Sequence, residues 1–191
     1  TGVQTCALPI CAARNETEAA QFVVTPAAAL HGFSVSAAEL TGPGGATLPA
    51  NTLEILQVRY VPIAQKTDRK GMVAPWPDPL PPIDAPLDLA AAQNHPFWVR
   101  AHVPADATPG RYEGGIVLHA DGYEATIGVV LEVYGFTLPD KMTLQTAFGF
   151  NGGSVCHYQN ISDPAQQRAV IDKYYQSMAD HHITPYNPAP N

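Results

Sequence analysis

Residues 97–134 alternate apolar and polar side chains with a period of two, and a glycine-containing turn divides the run. Phe97, Val99, Ala101 and Val103 alternate with Trp98, Arg100 and His102; further on, Ile127, Val129, Leu131 and Val133 share one face. Successive side chains of a strand point to opposite faces, so this spacing gives each strand one apolar face and one wet face. Asp121-Gly122 separates the strands predicted over 112–120 and 123–134. The pair fits a type I′ hairpin, which needs positive φ at both positions. Residues 104–110, ending in Thr108-Pro109-Gly110, read as another turn. Strands joined by short turns with no helix between them imply an antiparallel sheet.

Upstream, residues 19–25 carry β-branched and aromatic side chains up to Pro26 and read as a strand. Phe33, Val35 and Ala37 alternate with Ser34 and Ser36, and residues 41–45 form a turn. Over 52–63 the apolar phase shifts from Leu53 and Ile55 to Leu56, Val58 and Tyr60, as an inserted bulge residue would produce. Strands at this spacing predict a β-sandwich over residues 14–139.

Residues 64–96 break the pattern. Pro75, Pro77, Pro79, Pro81, Pro82 and Pro86 make a stiff, extended stretch that lacks backbone donors. Trp76 lies inside it, and a proline-framed Trp is expected to dock with its ring largely buried. The predicted partner of the 75–86 loop is intramolecular, either the sheet or a following barrel.

At Leu138-Pro139-Asp140 the pattern changes again. A short strand is predicted over 144–150, ending in Asn151-Gly152-Gly153. Asp163, Pro164 and Gln166 give a helix start: an Asp cap, Pro at the first position and Gln three residues after the cap. Val170, Ile171, Tyr174, Met178 and His182 then recur at helical spacing and read as the packing face. A second short strand is predicted over 183–187, which makes the tail a βαβ unit, the opening of a parallel α/β domain.

Composition narrows the function. Ten Lys+Arg against seventeen Asp+Glu give a net charge of −7, which argues against a nucleic-acid surface. No apolar run is long enough to span a membrane. Cys6, Cys11 and Cys156 form no disulfide framework. With the histidines, Cys156-His157 and His181-His182 included, they show no metal-ligand spacing, so neither metal nor cofactor is expected. No signal peptide is visible. The segment GVQTCALPI at 2–10 resembles the translated sequencing adapter met at the ends of assembled metagenomic reads. Residues 1–13 are therefore expected to be an assembly artefact or disordered, with Cys6 not biological. The chain is expected to be a fragment, cut at its start and, since 185–191 bring no closing element, at its end.

Several segments in fixed order resemble glycoside hydrolase family 123, the β-N-acetylgalactosaminidase-like proteins. They are residues 15–18 with 21–24, the proline loop Trp76-Pro77-Asp78-Pro79-Leu80, the sheet segments 96–99, 103–106, 109–112 and Gly114-Gly115, and the junction Phe136-Thr137-Leu138-Pro139. The resemblance spans residues 14–191. It implies a non-catalytic N-terminal β-sandwich over 14–139 and, over 140–191, the truncated start of a catalytic (β/α)8 barrel (TIM barrel). It also implies a secreted or periplasmic protein of carbohydrate metabolism. The implied reaction is retaining hydrolysis of β-linked N-acetylhexosamine (N-acetylgalactosamine) glycans. The substrate's acetamide is the nucleophile, an Asp orients it, and an adjacent Glu is the acid/base.

The chain departs from that pattern in its tail. A barrel needs about 250 residues, and no Asp-Glu dipeptide follows residue 139. Of the acids there, Asp163 reads as a helix cap and Asp172 and Asp180 as solvated, so no catalytic residue is assigned and the fragment is expected to be inactive. The glycan substrate would be held through the missing barrel. Candidate substrate-binding residues lie where the tail strands end: Asn151, His157, Tyr158 and Asn187. Asn and His give directional hydrogen bonds to sugar hydroxyls and Tyr stacks on a ring; the plainer alternative gives Asn151 to a turn and Tyr158 to local packing. The competing reading is a non-catalytic glycan-binding or structural β-sandwich, with Trp76, Trp98 or Tyr112 as stacking platforms.

Overall fold

Twelve strands and two α-helices make up the computed structural model, which describes residues 8–66, 68–141 and 144–186. The chain divides into two units, Thr1–Leu138 and Pro139–Asn191. The first unit holds all the strands: β1 Leu8–Arg14, β2 Thr17–Val24, β3 Leu30–Ala37, β4 Leu40–Thr41, β5 Thr47–Leu48, β6 Leu53–Gln57, β7 Tyr60–Pro62, β8 Pro75–Pro77, β9 Leu87–Leu89, β10 His95–His102, β11 Gly110–Ala120 and β12 Tyr123–Thr137. The second holds the helices α1 Gly152–Tyr158 and α2 Pro164–Asp180.

The first unit is a β-sandwich. One sheet runs β1-β12-β11-β3-β9, with β4 paired to β11 and β5 to β4; the other runs β2-β10-β6. Its register follows the period-2 pattern. Phe97, Val99 and Ala101 of β10 sit opposite Phe22, Ala20 and Glu18 of β2, and opposite Gln57, Ile55 and Leu53 of β6. Tyr112 and Ile116 sit opposite Leu131 and Ile127. An aromatic trio links the layers, with Phe97 stacked on Phe22 at 5.1 Å and tilted against Phe33 at 5.4 Å. Burying an aliphatic or aromatic side chain this completely contributes about 1.5–3 kcal/mol, so the alternation that places them is also what stabilises the layers.

Several sequence expectations for this unit need correction. Residues 8–13, expected to be an artefact or disordered, belong to β1, which pairs with β12 and buries Ile10, Ala12 and Ala13. That pairing is parallel, so the large sheet is not wholly antiparallel; the chain turns at Asn15 (φ 60°) and enters the opposite sheet as β2. The 121–122 turn has positive φ only at Gly122 (70°), so it is not type I′. Asp121 is instead held by its N–H, which donates to the carbonyl of His31 in β3 at 3.0 Å. Finally, β6 pairs with β10 through five successive partners without a bulge. The phase change marks Leu56, which is buried on the face turned away from the sandwich core.

The proline loop is held through its carbonyls, the only backbone hydrogen-bonding groups a proline retains. Arg59 N–H donates to Pro79 O at 2.9 Å and Gln57 N–H to Pro81 O at 3.2 Å, while Asp78 N–H returns a bond to Arg59 O at 3.1 Å. β8 also pairs with β7 as a two-stranded ribbon. Trp76, expected to be largely buried, is 43% exposed, its indole N–H donating to Met72 O at 3.0 Å. Among the described residues, the ribbon has no strand on its far side to close over the ring.

In the second unit, the strands expected over 144–150 and 183–187 reduce, among the described residues, to a single parallel bridge between Phe148 and Pro185, with Asn187 outside them. Phe148 N–H donates to Thr184 O and Tyr186 N–H to Phe148 O, both at 3.0 Å. A parallel pair is stable when neighbouring strands and covering helices flank it; this bridge has no further strand beside it among the described residues. Asp163 caps α2, its carboxylate accepting from Gln166 N–H at 2.9 Å. The helix ends at Asp180, so His182 does not extend its packing face. His182 takes φ 57°, and Ile183 N–H folds back to Met178 O at 2.8 Å, closing the free carbonyls of the last turn. Phe150 is buried against Tyr174 and Tyr175, at ring separations of 5.9 and 5.1 Å.

Candidate functional site

α1 begins at Gly152, shortly after the bridged residue Phe148 and the buried Phe150, at the end of the segment where open α/β folds place their ligands. A depression of about 540 Å³ lies there, lined in part by Gly152, Gly153, Cys156, His157 and Ser162. His157 reaches it from the last turn of α1. Asn151 does not line it. Its side-chain oxygen accepts the N–H of Ser154 at 3.0 Å, so it caps α1 instead of turning an Asn-Gly-Gly loop. Tyr158 is 83% exposed and meets the His157 ring edge-on at 5.6 Å. Asn187 lies outside the described residues. Of the four candidates, then, the fold brings His157 and Tyr158 together and commits Asn151 to the helix.

The acids of the tail have structural partners. Asp163 is the cap of α2, Asp172 lies 3.7 Å from Arg168 one turn back, and Asp180 accepts from Gln176 at 2.7 Å. Among the described residues, no three His, Cys, Asp or Glu side chains gather as a metal site, and no helix is long and apolar enough to cross a membrane.

In the sandwich, the three aromatic candidates separate. Tyr112 is 1% exposed, and its hydroxyl donates to Thr108 O at 2.8 Å, so it cannot be a stacking platform. Trp98 is half-buried on the outer face of the smaller sheet, between Gln21 and Leu56 and next to the Arg100–Glu54 ion pair. Trp76 keeps a large exposed face. Tyr134 on β12 holds its phenolic proton above the usual tyrosine range, chiefly through its hydrogen bond with the Cys11 side chain of β1.

Sequence reasoning missed a polar cleft of about 340 Å³ between residues 57–60 and 93–96, which includes Gln57, Arg59, Tyr60, Gln93 and Asn94. Its two sides are far apart in sequence, and the pairing that joins them (Val58 N–H to Pro96 O, 3.1 Å) leaves no local motif.

A two-layer sandwich with this register, followed by a helical unit opened by a parallel bridge, is a fold carried by a glycoside hydrolase. A family 123 glycoside hydrolase from Clostridium perfringens, solved to detail glycolipid glycan hydrolysis, superposes with a TM-score of 0.80 at 16% identity, over 92% of this chain and 32% of its own. The chain thus spans about a third of that enzyme's length. The model of the glycoside hydrolase 123 N-terminal domain matches residues 4–120, and the chain belongs to that family. A PapD-like domain of human CEP192 aligns at 10% identity over 69% of this chain and 84% of its own, with a TM-score of 0.36. No curated protein matches the chain.

Proposed function

We propose that this chain is the N-terminal part of a secreted or periplasmic glycosidase that cleaves β-linked N-acetylhexosamine, specifically N-acetylgalactosamine, with retention and with the substrate's acetamide as nucleophile. The sandwich is its non-catalytic module and residues 139–191 open a (β/α)8 barrel. The family match carries the reading. The Phe148–Pro185 bridge supports the barrel, because it sets two segments parallel with α1 and α2 between them, as a first βα repeat requires. The tail's exposed Leu144, Phe148 and Tyr186 are apolar surface that neighbouring repeats would cover.

The acid/base pair belongs to the barrel beyond these residues, since Asp163, Asp172 and Asp180 are engaged structurally. The test is hydrolysis of p-nitrophenyl β-N-acetylgalactosaminide by the full-length protein, with the anomer of the first product read by NMR. The retained β-anomer, together with no turnover by the present chain, is the expected result. An inverted product, or no turnover by the full-length protein on any β-N-acetylhexosaminide, would sink the proposal. The exposed ring of Trp76 supports a glycan-binding role for the sandwich itself.

A further inference from the structure

We propose that the polar cleft between residues 57–60 and 93–96 is a saccharide subsite for a sugar that carries an anionic group, a carboxylate or a sulfate ester. Its volume of about 340 Å³ falls at the small end of ligand sites. Its walls are polar and its donors are unspent. Among the described residues, the guanidinium of Arg59 and the side-chain amides of Gln57 and Gln93 have no partner. Asn94 is fixed by Thr25, whose hydroxyl donates to its side-chain oxygen at 2.8 Å, which leaves the NH₂ free to donate. His95 donates from Nε2 to Ala90 O at 3.1 Å, and the side-chain carbonyls of Gln57 and Gln93 add acceptors. Mixed donors and acceptors of this kind match a ring of hydroxyls.

Charge selects among sugars. The protein carries seventeen acids against ten Lys and Arg, yet no carboxylate lines this cleft and Arg59 does. A free guanidinium in a cleft without acids is a site for an oxyanion, which it binds in a two-pronged fashion. Tyr60, 49% exposed at the edge, adds a ring face on which a sugar stacks. The backbone is already fixed, with Val58 tied to Pro96 and Arg59 tied to both Pro79 and Asp78, so binding needs little ordering of the chain.

The experiment is an NMR titration of the isotope-labelled 191-residue chain with three tetrasaccharide probes. One is unsulfated chondroitin, which bears carboxylates only; one is carboxyl-reduced and sulfated; the third is carboxyl-reduced and unsulfated, hence neutral. Saturable shifts at Arg59, Gln57, Gln93 and Asn94 are expected with at least one charged probe, with the neutral probe weaker by about tenfold or more. The charged probe that binds identifies the anion. Arg59→Ala should weaken that binding about tenfold, while Gln93→Ala weakens charged and neutral probes alike. No shift at the cleft with any probe, equal binding of the neutral probe, or an unaffected Arg59→Ala variant would overturn the proposal. Hydrolysis plays no part in this measurement, so the result is independent of the activity proposed above.

Discussion

The hydroxyl of Tyr112 donates to the carbonyl of Thr108, four residues upstream and 2.8 Å away, across the turn that leads into β11. A tyrosine at the start of a strand, bonded back to its own connecting loop, is a corner device of β-sandwiches. It ties the 104–110 turn to the core by one side chain that is both packing and hydrogen-bond donor.

Tyr112→Phe keeps the packing and loses the bond, and should lower sandwich stability by about 1 kcal/mol. Tyr112→Ala also leaves a cavity and should cost about 3–5 kcal/mol. Urea unfolding followed by tryptophan fluorescence measures both, because Trp76 and Trp98 lie in the first unit. Equal losses for the two variants would mean that the hydroxyl dominates.

Gly42 faces the same ring. A Cβ there would collide with Tyr112 Cε1 and sit 2.5 Å from Cδ1. Gly42→Ala should therefore destabilise the sandwich by about 1–3 kcal/mol through overpacking. The cost should largely vanish in a Tyr112→Ala background, since the two sites couple through that contact. Additive losses in the double variant would refute the coupling.

Tyr134 should release its proton at a higher pH than a free tyrosine, chiefly because of its hydrogen bond with Cys11, with the Cys11 charge and then burial adding smaller effects. A raised value favours the protonated form in the fold. The linked stability is full below the unfolded phenol's value near 10 and is lost as the pH climbs through the raised folded one. An NMR pH titration of the Tyr134 ring should move toward the ordinary phenol value in Cys11→Ala; an unchanged midpoint would rule out the contact as the cause.

Under the proposed activity, His157→Ala in the full-length protein should lower kcat/KM on a β-linked N-acetylgalactosaminide by more than about tenfold, roughly 1.4 kcal/mol. Asn151→Ala serves as the contrast, because it removes a helix cap worth about 1 kcal/mol of stability. Unchanged kcat/KM in His157→Ala would remove that residue from the substrate site.

What could be read from the sequence was what short stretches of chain decide. The alternation through β10, β11 and β12 requires only that one face be dry, and the Asp163 cap requires only the residues beside it. The misses depend on partners far along the chain. β1 pairs with residues about 120 positions away, in a parallel arrangement that leaves no turn to read. The expected tail strands failed because a strand's apolar pattern does not supply neighbours. At the candidate site, His157 could be placed beside a loop, but capping by Asn151 depended on a helix at 152–158 that was not foreseen. The cleft at Arg59 joins two segments that neither periodicity nor motif connects.

The parallel seating of β1 against β12 has a practical consequence. Along its paired stretch, β1 covers the outer backbone of the longest strand in the molecule. Trimming the first thirteen residues as foreign sequence would leave that row of amides and carbonyls as a template for any passing strand. A version shortened in this way is the one to watch for edge-to-edge association during purification.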